Sequence, residues 1–387
     1  MEAHPFPLLA RAQAEARRGE WLFTAPNPRV GALALKNGHL VGRGFHGFHG
    51  GAHAEEQALR EAAAWDDGAA RPVPGLVDEM VVTLEPCSAP GAGKKRSACT
   101  ELLQAAGIGR VHVGAVDPDP RHCGRGLALL REQGIEVVHP PGGDADFEAL
   151  NRAFLRALRH PERPWILFKW AASLDGKTAA ATGASRWITS PAARAEAHTL
   201  RAASDAVMVG RGTLYQDDPE LTVRSGPAQD APPPVRVLVD PEGQVPEAAR
   251  VFRAPGPRLW LLREGCRPGA ALSRHLAGEE DQVMPVPVRP DGRLDLCHAL
   301  RRLRLDFGVR RLLVEGGAVL HGGLLAEGLV DAVVCYEAPC LLGGTRGAVA
   351  GGGAASPREA LHLIEEEQAR LGPDLRRAFQ VAEEEPL

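Results

Sequence analysis

The sequence lacks any long apolar segment of the kind that crosses a membrane. No stretch of its 387 residues approaches the roughly 18–20 apolar residues that span a bilayer, and residues 1–20 lack the apolar centre of a signal peptide. Its seven cysteines are odd in number and scattered, which is not the pattern of a disulfide framework. These absences predict a cytoplasmic protein with reduced thiols and no membrane partner.

Basic charge is also too scarce for a nucleic-acid binder. The formal net charge is −4, with 45 Lys and Arg against 49 Asp and Glu. Proteins that bind nucleic acids normally carry a basic face that neutralises phosphates. The one concentrated basic patch is Lys94-Lys95-Arg96. The composition therefore predicts a small-molecule substrate, compatible with a phosphorylated one, and no nucleic-acid partner.

Strand and helix patterns alternate along both halves of the chain, and this alternation favours α/β layers. The length suggests two or three domains, and we assign one domain to residues 1–147 and another to residues 148–387. A helical pattern covers residues 144–159, and the proline-rich segment 160–164 is the best candidate linker. Predicted strands of the second half lie at 165–170, 206–209, 235–239, 258–262, 311–314 and 332–336.

One constellation of His, Glu and Cys residues indicates metal-dependent hydrolysis. His53 and Glu55 lie two residues apart at a predicted helix start, Cys87 follows a Pro after a predicted strand, and Cys99 comes later. Catalytic zinc takes three protein ligands and keeps a fourth position open for water. The His-x-Glu and Pro-Cys arrangement is the signature of zinc-dependent base deaminases, in which the glutamate moves protons and does not bind the metal.

Two other interpretations of these residues are simpler. One is a core histidine, a surface glutamate and two buried cysteines. The other is a structural zinc, which would need a fourth ligand such as His112, His122 or Cys123. The ordered set favours catalysis, because a structural zinc needs no free carboxylate beside it.

A glycine motif in the first half resembles a dinucleotide-binding signature without its usual context. Residues 42–47 match G-x-G-x-x-G. The segment leads into the predicted zinc helix and lacks the acidic residue that follows a true βαβ unit. We therefore reject it as a dinucleotide site and interpret its glycines as serving a tight turn.

Further motifs accompany the metal set in the first half. They are Asn27-Pro28-x-Val30-Gly31, Thr83-Leu84-Glu85-Pro86-Cys87-Ser88, Asp117-Pro118-Asp119-Pro120 and Gly124-Arg125-Gly126. Together with His53-Ala54-Glu55 they resemble the deaminase half of the bifunctional riboflavin-pathway deaminase–reductases. The resemblance implies that zinc is bound by His53, Cys87 and Cys99. It also implies that Glu55 is the proton shuttle and that Asn27 helps to hold the pyrimidine.

The segment between Ser88 and Cys99 departs from that family, in which it resembles His-x-Gly-Arg/Lys-Thr-Pro-Pro-Cys. Here it is three residues longer and lacks both the His and the Pro-Pro pair. We expect the longer loop still to bring Cys99 to zinc, with a cation of the Lys94-Lys95-Arg96 patch facing the substrate. In a milder change, Asp119 stands where the family usually has Asn.

The second half carries a predicted strand, a tight turn and a helix start around Glu315-Gly316-Gly317. This geometry points backbone N–H groups and a helix dipole at an anion such as a dinucleotide pyrophosphate. Arg201 and Arg224 could clamp a substrate phosphate, and Trp187 could lie over a ring or fill the core. Other motifs of this half are Lys169-Trp170-Ala171-Ala172-Ser173-Leu174-Asp175-Gly176-Lys177, Ser185-Arg186-Trp187, Val209-Gly210-Arg211-Gly212-Thr213, Asp217-Asp218-Pro219 and Leu221-Thr222-Val223-Arg224.

Jointly these motifs resemble the reductase half of the same family, and this resemblance implies NADPH as the cofactor. Implied cofactor contacts are Ala171, Trp187, Thr213, Asp217, Gly317, Ala318, Val319, Leu320, His321, Gly322 and Gly323. Implied substrate contacts are Ser185, Arg201, Leu221, Arg224 and Glu315. Lys169 matches a lysine that points toward the ribose, and Lys169, Asp217 and Glu315 are candidates for handling the proton that accompanies the hydride. Several relatives carry Ser after the Val-Asp at the end of the strand at 235–239, where this chain has Pro241, so that cofactor contact loses a hydroxyl.

The expected fold is α/β, with an N-terminal cytidine-deaminase-like three-layer domain and a C-terminal dihydrofolate-reductase-like α/β domain. The resemblance implies zinc-dependent deamination of 2,5-diamino-6-(5-phosphoribosylamino)pyrimidin-4-one. It further implies NADPH reduction of 5-amino-6-(5-phosphoribosylamino)uracil, by a homo-oligomer. One alternative is a reductase with a disabled or retuned deaminase domain. Others are a cytidine, deoxycytidylate or tRNA-adenosine deaminase with an unrelated appendage, and a non-catalytic zinc-stabilised binding protein.

Overall fold

In the computed structural model the chain forms two compact units, Met1–Arg159 and His160–Leu387. The structure describes residues 5–88, 97–139, 145–224 and 232–382. The division lies at the predicted linker and later than the boundary assigned at 147/148. The reason is that Phe147 and Phe154 pack against Leu84 and Ala115 of the first unit. Among the described residues, no helix is both long and apolar enough to cross a membrane.

The first unit contains seven helices and seven strands among its described residues. Its helices are α1 (Pro5–Ala16), α2 (Trp21–Thr24), α3 (Ala54–Glu61), α4 (Cys99–Ala106), α5 (Arg125–Glu132), α6 (Ala145–Leu150) and α7 (Arg152–Arg159). Its strands are β1 (Gly31–Lys36), β2 (His39–Phe45), β3 (Trp65–Asp66), β4 (Arg71–Pro72), β5 (Glu79–Leu84), β6 (Arg110–Ala115) and β7 (Glu136–Val138). The single helix predicted at 144–159 is two helices, α6 and α7, separated at Asn151.

The main sheet of this unit has the order β2-β1-β5-β6-β7 and is covered on both faces. Side chains alternate between the faces of a strand, so Leu33 and Leu35 of β1 meet Leu9 and Ala12 of α1. The opposite face of β1, β5 and β6 packs against apolar residues of α3, α4 and α5. This arrangement confirms the predicted three-layer domain. A separate pair, β3 with β4, forms a small antiparallel ribbon.

Two glycines of the G-x-G-x-x-G segment bring the zinc-site helix close to the sheet. Gly42 and Gly44 lie within β2. A Cβ atom on Gly44 would lie 2.0 Å from the carbonyl oxygen of Ala54, and one on Gly42 would lie 2.2 Å from that of Ala58. The interpretation of these glycines as a tight turn is therefore wrong. They are strand residues that allow α3 to pack backbone to backbone against β2.

The second unit contains five helices and nine strands among its described residues. Its helices are α8 (Pro191–Ala202), α9 (Arg211–Asp217), α10 (Ala270–His275), α11 (Leu296–Leu305) and α12 (Ala318–Ala326), with single 3-10 turns at Arg250–Phe252 and Pro357–Glu359. Its strands are β8 (Trp165–Ser173), β9 (Ala206–Gly210), β10 (Val235–Val239), β11 (Arg258–Arg263), β12 (Asp281–Val286), β13 (Arg311–Val314), β14 (Ala332–Ala338), β15 (Leu363–Leu371) and β16 (Asp374–Val381).

These nine strands form one sheet in the order β12-β11-β10-β9-β13-β8-β14-β16-β15. The strands from β12 to β14 are parallel, β16 is antiparallel to β14, and β15 is in turn antiparallel to β16. Helices α11 and α12 pack apolar residues against one face. Because ligands of open parallel sheets bind at the carboxyl ends of the strands, the ends of β8, β13, β9 and β10 mark the edge where a site is expected.

Candidate active sites

The first unit brings the three predicted zinc ligands together. His53 is the residue before α3, Cys99 is the first residue of α4, and Cys87 follows β5. The Nδ1 atom of His53 lies 3.2 Å from Cys99 Sγ and 3.8 Å from Cys87 Sγ. The ligand atoms of the three residues all lie within 4.8 Å of one another. One imidazole and two thiols at this separation suit the tetrahedral preferences of zinc.

The protonation states in this cluster suit a metal and a separate proton carrier. Hydrogen bonding from Cys99 and from His53 lowers the pKa of the Cys87 thiol to about 4, which favours the thiolate that a metal binds. Glu55 is buried at 3% exposure, beside these residues but outside the ligand set. Burial raises the pKa of Glu55, although the nearby His53 acts in the opposite direction. A buried carboxylate of this kind can exchange protons with a reacting group.

The fourth position required by a structural zinc has no ligand among the residues that the structure describes. The metal-binding group there consists of His53, Cys87 and Cys99, and His112, His122 and Cys123 do not join it. His112 instead forms a short contact with Glu79 across β5 and β6. A three-ligand group leaves one position open, which is the arrangement of a catalytic site.

Asn27 is held near the metal group by a histidine that sequence reasoning missed. The Nδ2 atom of Asn27 lies 3.2 Å from His46 Nε2, and His46 Nδ1 lies 2.9 Å from the carbonyl oxygen of Ala52. The rings of His46 and His53 meet edge to face, with centroids 5.5 Å apart. His46 lies in the rejected glycine motif, and no spacing rule marks it. The predicted pyrimidine contact at Asn27 is thus oriented by its neighbours.

The hydrogen bonds of Glu85 were also not predicted from the sequence. Its buried carboxylate accepts hydrogen bonds from the backbone N–H groups of Asp117 (3.1 Å), Gly124 (2.9 Å) and Gly126 (2.7 Å). A Cβ atom on Gly126 would lie 2.1 Å from the carbonyl oxygen of Pro86. The Gly-Arg-Gly motif therefore lets the loop at 117–126 pack against the residues that precede the zinc ligand Cys87.

The two departures from the family have different outcomes. Lys94, Lys95 and Arg96 lie outside the described residues. Asp119 is buried, and its carboxylate is paired with Arg121, with Nη2 and Oδ2 2.6 Å apart. This hydrogen bond lowers the pKa of Asp119, so the carboxylate is ionised and its charge is compensated locally.

The second unit contains a cavity of about 1310 Å³ along the predicted edge of its sheet. Every predicted cofactor and substrate residue of this unit lines the cavity except Gly322. A Cβ atom on Gly322 would lie 1.5 Å from the carbonyl oxygen of Ala350, so this glycine lies behind the wall and supports the segment 347–351. Nine Lys or Arg and four Asp or Glu side chains line the cavity, a balance suited to phosphorylated ligands.

A charged cluster occupies one part of the cavity wall. Arg201 donates two hydrogen bonds to Glu315, from Nε at 2.5 Å and from Nη2 at 2.8 Å, and Lys169 Nζ lies 4.0 Å from the same carboxylate. Burial alone would raise the pKa of Glu315, but Arg201 and Lys169 outweigh it and hold the pKa at about 2. Burial lowers the pKa of Lys169, with Glu315 opposing that effect.

The two arginines suggested as a phosphate clamp both line the cavity and make different contacts there. Arg201 is committed to Glu315 and also donates to the carbonyl oxygen of Thr222 at 3.0 Å. Arg224 is half exposed at the cavity wall and pairs with Glu220. Of the two arginines, Arg224 is the more exposed, with 50% side-chain exposure against 14% for Arg201.

The cofactor side of the cavity is built around the start of α12. Gly316 has a φ of 114°, and the next residue, Gly317, precedes the first turn of the helix. A Cβ atom on Gly317 would lie 3.1 Å from Thr213 Oγ1. The free N–H groups of this nine-residue helix and the basic wall suit a pyrophosphate. Nearby, Ser185 donates to Asp217 at 2.5 Å, and Trp187 is 68% exposed with Arg194 over its ring.

Comparisons with known proteins cover nearly the whole chain. Residues 7–115 match the cytidine and deoxycytidylate deaminase zinc-binding region, and residues 164–376 match the RibD C-terminal domain. The riboflavin biosynthesis protein RibD of Escherichia coli is 37% identical over 95% of this chain and 96% of its own length. The chain belongs to the RibD family. A RibD relative from Aquifex aeolicus is 36% identical over 95% of this chain and 95% of its own length.

Two solved structures of the RibD family share the fold of this chain. Acinetobacter baumannii RibD, form 1, has a TM-score of 0.71 and 31% identity over 97% of this chain and 98% of its own. A Thermotoga maritima diaminohydroxyphosphoribosylaminopyrimidine deaminase/5-amino-6-(5-phosphoribosylamino)uracil reductase has a TM-score of 0.69 and 26% identity, with the same coverage.

Membership of the RibD family confirms the predicted family, fold class and bifunctional character. The chain is an enzyme with a zinc-binding deaminase domain followed by a reductase domain, and its cofactors are zinc and NADPH. A deaminase with an unrelated appendage is excluded, because the second half matches the reductase domain of the same family. A non-catalytic zinc protein is excluded for the same reason.

Proposed function

We propose that this chain catalyses two consecutive steps of riboflavin biosynthesis. The first is hydrolytic removal of the 2-amino group of 2,5-diamino-6-(5-phosphoribosylamino)pyrimidin-4-one as ammonia. The second is NADPH-dependent reduction of the ribosyl group of 5-amino-6-(5-phosphoribosylamino)uracil to ribityl. The observation that carries the proposal is the three-ligand group of His53, Cys87 and Cys99 with the buried, uncoordinated Glu55 beside it.

In the deaminase, the protein residues position the pyrimidine and move protons. His53, Cys87 and Cys99 would hold zinc, which would supply the Lewis acidity that activates water at neutral pH. Glu55 takes a proton from the attacking water and returns it to the departing amine, a task favoured by its raised pKa. Asn27, fixed by His46, holds the pyrimidine edge.

In the reductase, the charged cluster contains two of the three candidate proton donors, Lys169 and Glu315. The cavity residues at the start of α12 would hold NADPH, which would supply the hydride for C1 of the opened ribosyl group. Glu315, with a pKa of about 2, remains ionised and is a poor acid. Asp217 accepts a hydrogen bond from Ser185. Of the two cluster residues, Lys169 is favoured as the proton donor, because burial lowers the pKa of its ammonium below the ordinary value.

We also propose that the enzyme is a cytoplasmic homo-oligomer that acts on small molecules and has no nucleic-acid or membrane partner. The family resemblance supports the oligomer, and the acidic net charge of −4 argues against nucleic acids. Sedimentation of the purified chain would test the oligomer, and a single monomeric species at working concentration would contradict it.

The decisive test separates the two reactions on the full-length, zinc-loaded protein. Incubation with the diaminopyrimidine substrate alone should release one equivalent of ammonia, and subsequent addition of NADPH should lead to its oxidation. Absence of ammonia together with NADPH oxidation on the deaminated substrate would identify the alternative, a reductase with a disabled deaminase. Absence of both reactions would overturn the proposal.

A further inference from the structure

The ends of β9 and β10 carry a charged group that the cofactor contacts implied by the family do not include. Gly210 and Val239 are paired in register between these parallel strands, so Arg211 and Asp240 follow at the same edge of the sheet. Arg211 Nε lies 3.6 Å from Asp240 Oδ1, and Arg211 Nη1 lies 2.5 Å from Glu242 Oε2. Arg211, Pro241 and Glu242 line the reductase cavity.

This charged group lies at a distance from the reacting centre that suits the far end of a dinucleotide. The cavity extends from Lys169 on β8, past the glycine turn after β13, to the end of β10. In the sheet order β8-β13-β9-β10 these positions are separated by three strand spacings, about 14 Å in all. With hydride transfer at Lys169 and a pyrophosphate at the start of α12, the adenosine ribose reaches the end of β10.

Both acidic and basic side chains lie at the ends of β9 and β10. In dinucleotide-binding sheets, an acid at the end of a strand binds the ribose 2′-hydroxyl of NAD, whereas an arginine accommodates the 2′-phosphate of NADP. Here two carboxylates and one cavity-lining arginine meet. Asp240 is fully buried, so it cannot contact a ligand, and its charge acts through the contact with Arg211. Tyr215 donates to Asp240 at 3.0 Å, and its ring centroid lies 5.1 Å from the Arg211 guanidinium.

We propose that Arg211 is the residue that sets the preference of this reductase for NADPH over NADH. Its guanidinium covers the carboxylates of Asp240 and Glu242 and receives the 2′-phosphate of the adenosine ribose. Without it, Asp240 loses its arginine partner beside that phosphate, while Glu242 keeps its contact with Arg263. Pro241 offers this edge neither a side-chain donor nor a backbone N–H, so recognition of the phosphate there depends on Arg211. The inference rests on the proposed reductase function of this cavity.

The test is equilibrium binding of NADPH and of NADH to the full-length protein, with no pyrimidine present. Arg211→Ala should weaken NADPH binding about ten-fold and leave NADH binding within about two-fold, the loss expected for one charge-assisted phosphate contact. Arg211→Gln, which keeps most of the side-chain length beside Tyr215, should behave in the same way if the alanine variant folds poorly.

Arg263→Ala is the matched control. Arg263 also pairs with Glu242, at 3.0 Å, and its side chain is 50% exposed against 48% for Arg211, but it does not line the cavity. Its removal should leave the ratio of the two dissociation constants unchanged within about two-fold. Adenosine 2′,5′-bisphosphate should compete with NADPH for the wild-type protein and about ten-fold less well for Arg211→Ala.

Three outcomes would overturn the inference. They are an unchanged NADPH preference in both Arg211 variants, an equal loss of NADPH and NADH binding, and an equal effect of Arg263→Ala. If the wild-type protein binds neither nucleotide, the proposed reductase function itself fails, so the two failures are distinguishable.

Discussion

Glu55 is the residue of the first unit on which the proposed deamination depends most, although it is not a metal ligand. Glu55→Gln should retain zinc and lower the rate of ammonia release by about 100-fold or more, because a glutamine keeps the shape but cannot carry a proton. Zinc content and ammonia production, measured on the same sample, check this expectation.

The neighbouring Glu56 offers the control for that variant. It is also buried, but its carboxylate is paired with Arg60 at 2.9 Å. Glu56→Gln should keep the ammonia rate within a few-fold of the wild-type rate. Ammonia release that survives in Glu55→Gln would show that another group moves the proton.

Glu315 makes a second residue-level prediction, on stability against pH. Its folded-state pKa of about 2 lies below the ordinary value of 4.5, so its ion pairs stabilise the fold fully above pH 4.5 and are lost as pH falls toward 2. The shift corresponds to about 3 kcal/mol. The free energy of unfolding of Glu315→Gln should therefore be lower than that of the wild type near neutral pH. This deficit in the free energy of unfolding should shrink below about pH 4.5.

Calorimetric unfolding of the wild-type and Glu315→Gln proteins, followed on the transition of the second unit, measures this deficit. The deficit shrinks because a protonated glutamate resembles a glutamine. A deficit that stayed constant between pH 6 and pH 3 would mean that the cluster with Arg201 and Lys169 does not stabilise the fold through its charge.

At the scale of elements, the close approach of α12 and the segment 347–351 determines one wall of the reductase cavity. Gly322→Ala would place a methyl group on the carbonyl oxygen of Ala350, and the backbone must move to relieve that clash. We expect NADPH binding to weaken by about 5- to 150-fold, since an overpacked contact costs roughly 1–3 kcal/mol, while ammonia release is unchanged.

Gly352→Ala is the control for Gly322→Ala. This exposed glycine lies just beyond the same segment, and an added Cβ atom would have no heavy atom within 4 Å. Its NADPH affinity should match that of the wild type. Tight NADPH binding by Gly322→Ala would show that the wall can yield without affecting the cofactor.

In the sheet of the second unit, the central strands could be predicted from the sequence, whereas β12, β16 and β15 toward its two ends could not. The buried strand β9 has no polar side chain, and β13 has three apolar residues after Arg311. Apolar runs of this kind are detected in the sequence. Strand β15 contains Glu365-Glu366-Glu367 and lies at the edge of the sheet. It is held partly by cross-strand ion pairs, including Arg377 to Glu365 at 2.5 Å, and β12 is an edge strand that tolerates Pro285.

The metal ligands could be predicted as a set, whereas their supports could not. His53, Cys87 and Cys99 carry a spacing with a chemical meaning. The bond between Arg201 and Glu315, which are 114 positions apart, depends on how β13 and α8 meet in the folded unit. From the sequence, Glu85 was likewise only part of a motif. The backbone N–H groups that donate hydrogen bonds to its carboxylate are known only from the fold.

At the scale of the whole molecule, the metal site and the cofactor cavity belong to different units. All three zinc ligands lie in residues 1–159, and every residue lining the cavity lies in residues 160–387. Removal of zinc with a chelator should abolish ammonia release and leave the dissociation constant of NADPH unchanged within about two-fold. Restored zinc should restore the ammonia rate.

Fluorescence titration with NADPH, before and after chelation, checks this independence on the intact chain. A protein mixed with chelator and then freed of it by dialysis, without added metal, controls for direct effects of the reagent. A loss of NADPH affinity that follows zinc removal would show that the metal also stabilises the reductase unit.

The excess of basic side chains in the cavity also has a kinetic consequence. A protein of net charge −4 repels anions weakly on average, yet its cofactor and substrate are anions that must find a positively charged recess. The field of such a recess steers ligands during diffusion, over a range of about 10 Å at an ionic strength of 0.1 M. Salt therefore slows the capture of both ligands more than it slows the chemistry that follows, and the enzyme becomes diffusion-limited sooner in concentrated electrolyte than in dilute buffer.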